Sequence, residues 1–452
     1  MKYSVIGLGK LGASMAAAIA SRGFEVVGVD VNTRAVELVN AGHAPVQETD
    51  LEQTIAMHRK LIRATESYEE AVQNSDVGFV IVPTPSDDRG AFSLQYAAWA
   101  FKEIGRALAT KSGYYDVVLT STVLPGATRY GLLPILEKES GKKCGRDFGL
   151  CYSPEFIALG SVIQNFLYPD FTLIGEFDPR SGDRLEKGYE EILPDHPPCM
   201  RMSLENAELT KISVNTFVTT KITFANMLAE ICERIPGGDI DAVTKALGAD
   251  SRIGPKYLKG GLGYGGPCFP RDNKALGFLA RELGCQAGLA EVTDRENRSM
   301  PDRVMENLAH YVRRGATVAV LGLSYKPYSH VTEESQGIAL AKKLSGLGAR
   351  VIAYDPLAGA GARNELRDHA VVLDSLPICL EQADVVLVTT ADPQFKALKA
   401  ADFGKRKTVV VDFWRILGQE LSGSPNVRYV AFGRSGEVAT GTAILQNLWN
   451  GT

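Results

Sequence analysis

At 452 residues the chain exceeds what a single hydrophobic core organises, and 45% hydrophobic with 23% charged side chains is the composition of a soluble protein of two or three domains. A formal net charge of −4 supplies no broad positive field, so nucleic acid is not an expected partner. No apolar run reaches the roughly 18 residues of a spanning helix. Glycines interrupt the start where a secretory leader stays apolar, and seven scattered cysteines lack paired spacing, so a reducing cytoplasm is expected and a membrane is not.

The first elements are strand-length apolar runs at 3–6, 25–29, 77–82, 117–119 and 171–174, alternating with helical stretches. That rhythm predicts a parallel, doubly wound sheet. Between the first strand and an Ala-rich helix stands Gly7-Leu8-Gly9-Lys10-Leu11-Gly12. Glycines there permit a tight turn and close backbone approach, and the helix start offers unpaired N–H groups to a pyrophosphate. Asp30 ends the second strand, about 20 residues on, where a carboxylate accepts from both ribose hydroxyls and repels a 2′-phosphate, so NAD is favoured over NADP. Arg34 pulls slightly the other way, because a guanidinium can pair a phosphate.

From 206 to 234 one long helix is predicted, with Leu209, Ile212, Phe217, Ile222, Phe224, Leu228 and Ile231 at helical spacing until Pro236-Gly237-Gly238 stops it. A Gly-rich loop at 260–266 and further helices follow. A second strand series then runs through 317–321, 350–354, 384–388, 408–411 and 427–430. The expected fold is α/β, two Rossmann-like doubly wound domains joined by a long central helix, with divisions at 1–200, 201–300 and 301–452. None of the six histidines falls at metal-ligand spacing with another ligand, so no metal is expected.

Later motifs narrow the reading: Val82-Pro83-Thr84-Pro85, Ser121-Thr122-Val123, Ser153-Pro154-Glu155-Phe156, Ala207-Glu208-Leu209-Thr210-Lys211, Gly263-Tyr264-Gly265-Gly266-Pro267-Cys268-Phe269-Pro270-Arg271-Asp272 and Leu321-Gly322-Leu323-Ser324-Tyr325-Lys326-Pro327. In this order they resemble the UDP-glucose/GDP-mannose dehydrogenase family over essentially the whole chain. The resemblance implies an N-terminal NAD domain, a C-terminal nucleotide-sugar domain and a long dimerising helix. It also implies oxidation of a sugar CH2OH to a carboxylate. A primary alcohol loses one hydride readily, but the aldehyde carbon must become tetrahedral before it loses a second, and a thiolate accomplishes this by adding to it.

Cys268 matches the nucleophile of that family; a buried, inert thiol is the ordinary alternative. Lys211 and Asn215, one helical turn apart, share a face where an ammonium and an amide can stabilise oxyanions, although such a pair alone is more often a solvated stripe. Asp272 resembles the aspartate that works with this lysine and a water, Glu155 the carboxylate of thioester hydrolysis, and Thr122 a hydroxyl that holds water. Pro83, Thr84, Pro85, Ser121, Thr122 and Arg271 join Gly7, Gly9, Lys10, Leu11, Gly12, Asp30 and Arg34 as candidate cofactor contacts. Candidate substrate contacts are Glu155, Phe156, Lys211, Asn215, Tyr257, Lys259, Gly263, Tyr264, Gly265, Lys326 and, on a looser match, Arg415. Arg252 resembles the arginine that completes the neighbouring subunit's site in a homodimer.

Three positions depart from the family pattern: Leu159 replaces a second glutamate, Glu333 an arginine, and Ala35 a basic residue. UDP-glucose to UDP-glucuronate is the expected reaction. GDP-mannose, UDP-N-acetylglucosamine and UDP-N-acetylmannosamine are the close alternatives. A 6-phosphogluconate-type or hydroxyacid dehydrogenase, and a non-catalytic NAD or nucleotide-sugar sensor, are more remote.

Overall fold

A computed structural model describes residues 1–157, 159–421, 423–436 and 441–450. The chain forms two compact units, 1–214 and 215–452. The first is built on eight strands: β1 (Tyr3–Ile6), β2 (Val26–Val29), β3 (Ile62–Thr65), β4 (Val77–Val80), β5 (Asp116–Leu119), β6 (Gly149–Tyr152), β7 (Thr172–Glu176) and β8 (Cys199–Ser203). Their order across the sheet is β3-β2-β1-β4-β5-β6-β7-β8. The sheet is parallel through β6, as the rhythm of apolar runs predicts, but β7 pairs antiparallel with β6 and β8 follows it in parallel.

The central strands β1, β2, β4, β5 and β6 are buried along their whole length, which is why they read as apolar runs rather than alternating ones. Two cores flank the sheet. One gathers the alanines of helix Lys10–Ser21 around Tyr3, Val5 and Phe79; the other sets Phe101, Ile104 and Leu108 against Val117 and Leu150.

The second unit carries a six-stranded, wholly parallel sheet of β9 (Thr317–Leu321), β10 (Arg350–Tyr354), β11 (Val371–Val372), β12 (Val385–Val388), β13 (Thr408–Asp412) and β14 (Val427–Ala431), in the order β11-β10-β9-β12-β13-β14. That order reverses between β9 and β12, where an open sheet leaves a crevice at its carboxyl edge. The long helix spans Leu204–Arg234 and continues from the first unit into the second. Among the described residues no helix is long and apolar enough to cross a membrane, and no cluster of three or more His, Cys, Asp or Glu is placed to hold a metal.

Candidate active site

In the first unit the named residues collect where strands end, as ligand sites do in open α/β sheets. Gly7 follows β1 at φ 101°, and a Cβ on it would stand 2.1 Å from the Ile81 carbonyl oxygen. A Cβ on Gly12 would lie 1.8 Å from the Gly7 carbonyl oxygen, so strand and helix meet only because both are glycine. Gly9 differs: nothing lies within 4 Å of where its Cβ would be. It caps helix Lys10–Ser21 without a side chain, with Lys10 and Leu11 half-buried behind it. The cradle therefore has room and donors for a pyrophosphate. Asp30, at the end of β2, accepts from Leu8 N–H at 2.7 Å and Asn32 N–H at 2.8 Å, which holds the carboxylate over the turn. Arg34 is exposed beyond it.

The chain after β4 carries exposed Pro83 and Pro85 on either side of buried Thr84, whose hydroxyl donates to the Thr122 carbonyl at 2.7 Å. Ser121 ties the ends of β4 and β5: its Oγ donates to the Val82 carbonyl at 2.7 Å and accepts from Val82 N–H at 2.9 Å. Thr122 stands half-exposed beside them. After β6, Glu155 and Phe156 meet Lys211. The Lys211 ammonium donates to the Glu155 carbonyl at 2.6 Å and lies 4.6 Å from the centre of the Phe156 ring. Burial pushes the Glu155 carboxyl up to about 7, with Lys211 pulling the other way. A carboxyl so poised serves as a base near neutral pH.

In the second unit Cys268 is exposed at the N-terminus of helix Phe269–Glu282. One turn on, Asp272 is fully buried. Its Oδ2 accepts from the Asn215 amide at 2.6 Å and its Oδ1 from the Arg271 guanidinium at 2.9 Å. Asn215, Arg271 and Asp272 thus form one hydrogen-bonded set behind the Cys268 turn, while Arg271 is engaged with its neighbour.

The Gly-rich loop before Cys268 has no sheet to pair with, and two buried asparagines take the place of one. Asn226, on the long helix, accepts from Gly261 N–H at 2.9 Å. Asn297, on helix Gly288–Leu308, accepts from Tyr264 N–H at 2.8 Å and donates to the Tyr264 carbonyl at 2.9 Å. Neither was singled out in the sequence; a polar residue at a core-facing helical position was the available signal. Gly263 and Gly265 sit against this support, where a Cβ would meet Asn297 and the Glu334 carbonyl. Tyr264 itself is buried, with its hydroxyl accepting from Asn273 at 2.9 Å, so its side chain packs the loop and does not face a ligand. Tyr257, at φ 62°, and Lys259 are exposed, Lys326 is half-buried beside Tyr325, and Arg252 stands out from the surface paired with Asp250 two residues away.

Arg415 requires a correction. Its side chain is only 1% exposed, and all five N–H donors are used, by both oxygens of Asp241 and by the carbonyls of Phe413, Phe432 and Gly260. It clamps the Gly-rich loop to the second sheet and has no donor left for a substrate. The partner Asp241 lies 174 residues away in sequence, which is why the local motif misled.

Models of one family match the chain in three stretches: its NAD binding domain at 1–193, its central domain at 205–299 and its UDP binding domain at 319–419. The chain belongs to the UDP-glucose/GDP-mannose dehydrogenase family. A UDP-glucose 6-dehydrogenase of Haloferax volcanii is 34% identical over 92% of this chain and 97% of its own. A GDP-mannose 6-dehydrogenase of Pseudomonas putida is 34% identical over 91% and 96%. Among solved structures, a UDP-glucose dehydrogenase from Pyrobaculum islandicum superposes with a TM-score of 0.85 at 33% identity, covering 96% of this chain and 98% of that one. Membership makes NAD the cofactor, and the open cradle at Gly9 with Asp30 above it fits that dinucleotide. The reaction class is that of NAD-dependent nucleotide-sugar 6-dehydrogenases.

Proposed function

We propose that the chain oxidises UDP-glucose to UDP-glucuronate in two steps, through a covalent adduct on Cys268. The observation that carries this reading is the Cys268 turn: an exposed thiol at a helix N-terminus, backed by buried Asp272 bonded to Asn215. Bound NAD+ supplies the chemistry of hydride acceptance, one molecule being reduced in each oxidation. The alcohol first loses a hydride and a proton to become an aldehyde. The Cys268 thiolate then adds to the aldehyde carbon. Loss of a second hydride and the hydroxyl proton leaves a thioester, and water displaces the thiolate to give the carboxylate.

In this scheme the Lys211 ammonium and the Asn215 amide stabilise oxyanions, Thr122 holds water, and Glu155 takes the proton of the hydrolytic water. Asp272 keeps the Asn215 amide oriented. Sequence identity is equal for UDP-glucose and GDP-mannose relatives, and UDP-glucose is preferred on the solved structures, where a UDP-glucose dehydrogenase superposes with a TM-score of 0.85 and a GDP-mannose dehydrogenase with 0.54. The exposed stripe Phe217, Phe224, Met227 and Ile231 on the long helix supports a homodimer, in which exposed Arg252 completes the neighbouring copy's site. Seven cysteines, none in a disulfide, support a cytoplasmic setting.

The test is a panel of UDP-glucose, GDP-mannose, UDP-N-acetylglucosamine and UDP-N-acetylmannosamine assayed for NADH formed per sugar consumed, with the mass in solution measured alongside. Two NADH from UDP-glucose, at a kcat/KM above the others, is expected from a species of two chains. A higher kcat/KM for another sugar reassigns the substrate, and one NADH per sugar ends the four-electron reading. Because Glu155 acts as a base only when ionised, kcat falls as pH drops through about 7, and this inflection disappears in Glu155→Gln.

A further inference from the structure

Glu208 belongs to none of the roles above, yet it is wholly buried on the long helix, three residues before Lys211. A carboxylate in that position needs partners, and it has found them outside its own helix. One oxygen accepts from Gly126 N–H at 2.6 Å and the other from Thr128 N–H at 2.8 Å. Both N–H groups belong to the start of the helix Ala127–Leu132, which follows the Ser121-Thr122 loop: Gly126 is its N-cap, at φ 90°, and Thr128 lies in its first turn. A buried carboxylate holding two backbone N–H groups is a short, charge-assisted clamp, and it fixes the start of this helix, and with it the end of the loop after β5, by two hydrogen bonds rather than one. The same helical turn sends Lys211 to the Glu155 carbonyl. One turn of helix therefore grips the loop after β5 with Glu208 and the loop after β6 with Lys211.

We infer that Glu208 is a positioning residue: through Gly126 and Thr128 it sets where Thr122 stands relative to Lys211 and Glu155. This rests on the reading of those three as groups of the reaction centre. The role needs both carboxylate oxygens as acceptors. Glu208→Gln keeps the shape but turns an NH2 toward one of the two N–H groups, so one of the two hydrogen bonds that hold the end of the loop is lost. A small misplacement of reacting groups costs rate far more than it costs ground-state binding.

The experiment compares Glu208→Gln with Asp116→Asn. Asp116 is equally buried at the opposite end of β5, paired with Arg184 at 2.5 Å, so its loss weakens the same sheet away from the site. In Glu208→Gln, kcat should fall about 10-fold or more while KM for the sugar nucleotide stays within about 2-fold, and the Gly126 and Thr128 amides should exchange hydrogen faster. Asp116→Asn, at a comparable loss of Tm, should keep its kcat. If Glu208→Gln does not accumulate folded, Gly126→Ala loosens the clamp from the loop side and should show the same split between kcat and KM. Wild-type kcat in Glu208→Gln or, in its place, in Gly126→Ala overturns the inference. An equal kcat loss in Asp116→Asn also does, since a general loss of stability would then explain both. A wild-type chain that forms no NADH from any sugar nucleotide would instead overturn the reading of the reaction centre.

Discussion

The two sheets begin with the same device and finish it differently. Each first strand runs into a glycine with positive φ, Gly7 at 101° and Gly322 at 111°. Each following helix lays a second glycine on that residue's carbonyl, where a Cβ would stand 1.8 Å away for Gly12 and 2.1 Å for Gly337. Each next strand ends in an aspartate that reaches back to the turn, Asp30 and Asp355. In the first unit the turn is short, its helix is capped by bare Gly9, and Asp30 accepts from two backbone N–H groups, those of Leu8 and Asn32.

The second turn is lengthened by the segment 323–335. Ser335 caps its helix by accepting from Ile338 N–H, and buried Asp355 takes five donors from Leu323, Ser324, Leu357 and Ala358. The added segment instead reaches the loop of the nucleophile, where Gly266 N–H donates to the Glu333 carbonyl at 2.9 Å. One backbone frame is thus left open to an anion, and the other is closed by its own chain and supports the Cys268 loop.

The comparison can be broken most forcefully at the shared contact. Gly12→Ala and Gly337→Ala each drive a methyl into a backbone carbonyl that cannot yield, and each should cost about 3 kcal/mol of stability, measured by urea unfolding; a loss below about 1 kcal/mol in either would show that the frames are not equivalent. Asp355→Asn should cost about 2 kcal/mol and leave KM for NAD unchanged, because that carboxylate serves its own loop. A rise in KM for NAD with unchanged stability would place Asp355 at a ligand. The smallest effect is the sharpest discriminator. Gly9→Ala adds a methyl where the protein leaves open space, so unfolding should scarcely change while KM for NAD rises about 10-fold, or about 1.4 kcal/mol; an unchanged KM would remove the pyrophosphate from this cradle.

This contrast also explains what could be read from the sequence. The open turn needs glycines at fixed spacing next to a strand and an acid, so the turn itself was legible at Gly7, Gly9, Gly12 and Asp30. The closed turn has its two glycines separated by an insertion, so no dinucleotide fingerprint marks it, and beyond its strand rhythm it was visible only as the motif Leu321-Gly322-Leu323-Ser324-Tyr325-Lys326-Pro327. Strands β3, β6, β8 and β11 escaped notice for physical reasons. Val371–Val372 is two residues long, Gly149–Tyr152 is short and starts with glycine, and Cys199–Ser203 is an edge strand without a continuous apolar run. Ile62–Thr65 alternates buried and exposed residues over only four positions. The Asn215–Asp272 bond and the Arg415–Asp241 pair join residues 57 and 174 apart, and local spacing cannot reveal such closures.

The central claim is that the open cradle and the supported thiol serve one four-electron oxidation. The most direct measurement is product and NADH yield from UDP-glucose with Cys268→Ala, beside intact-mass analysis of Cys268→Ser after incubation with NAD and substrate. The account predicts that Cys268→Ala makes no net carboxylate and less than one NADH per sugar, and that the serine variant, whose ester resists hydrolysis better than a thioester, carries a substrate-derived adduct. Two NADH and one carboxylate from Cys268→Ala at near wild-type rate would contradict it, and the aldehyde would then be oxidised as its hydrate without covalent attachment.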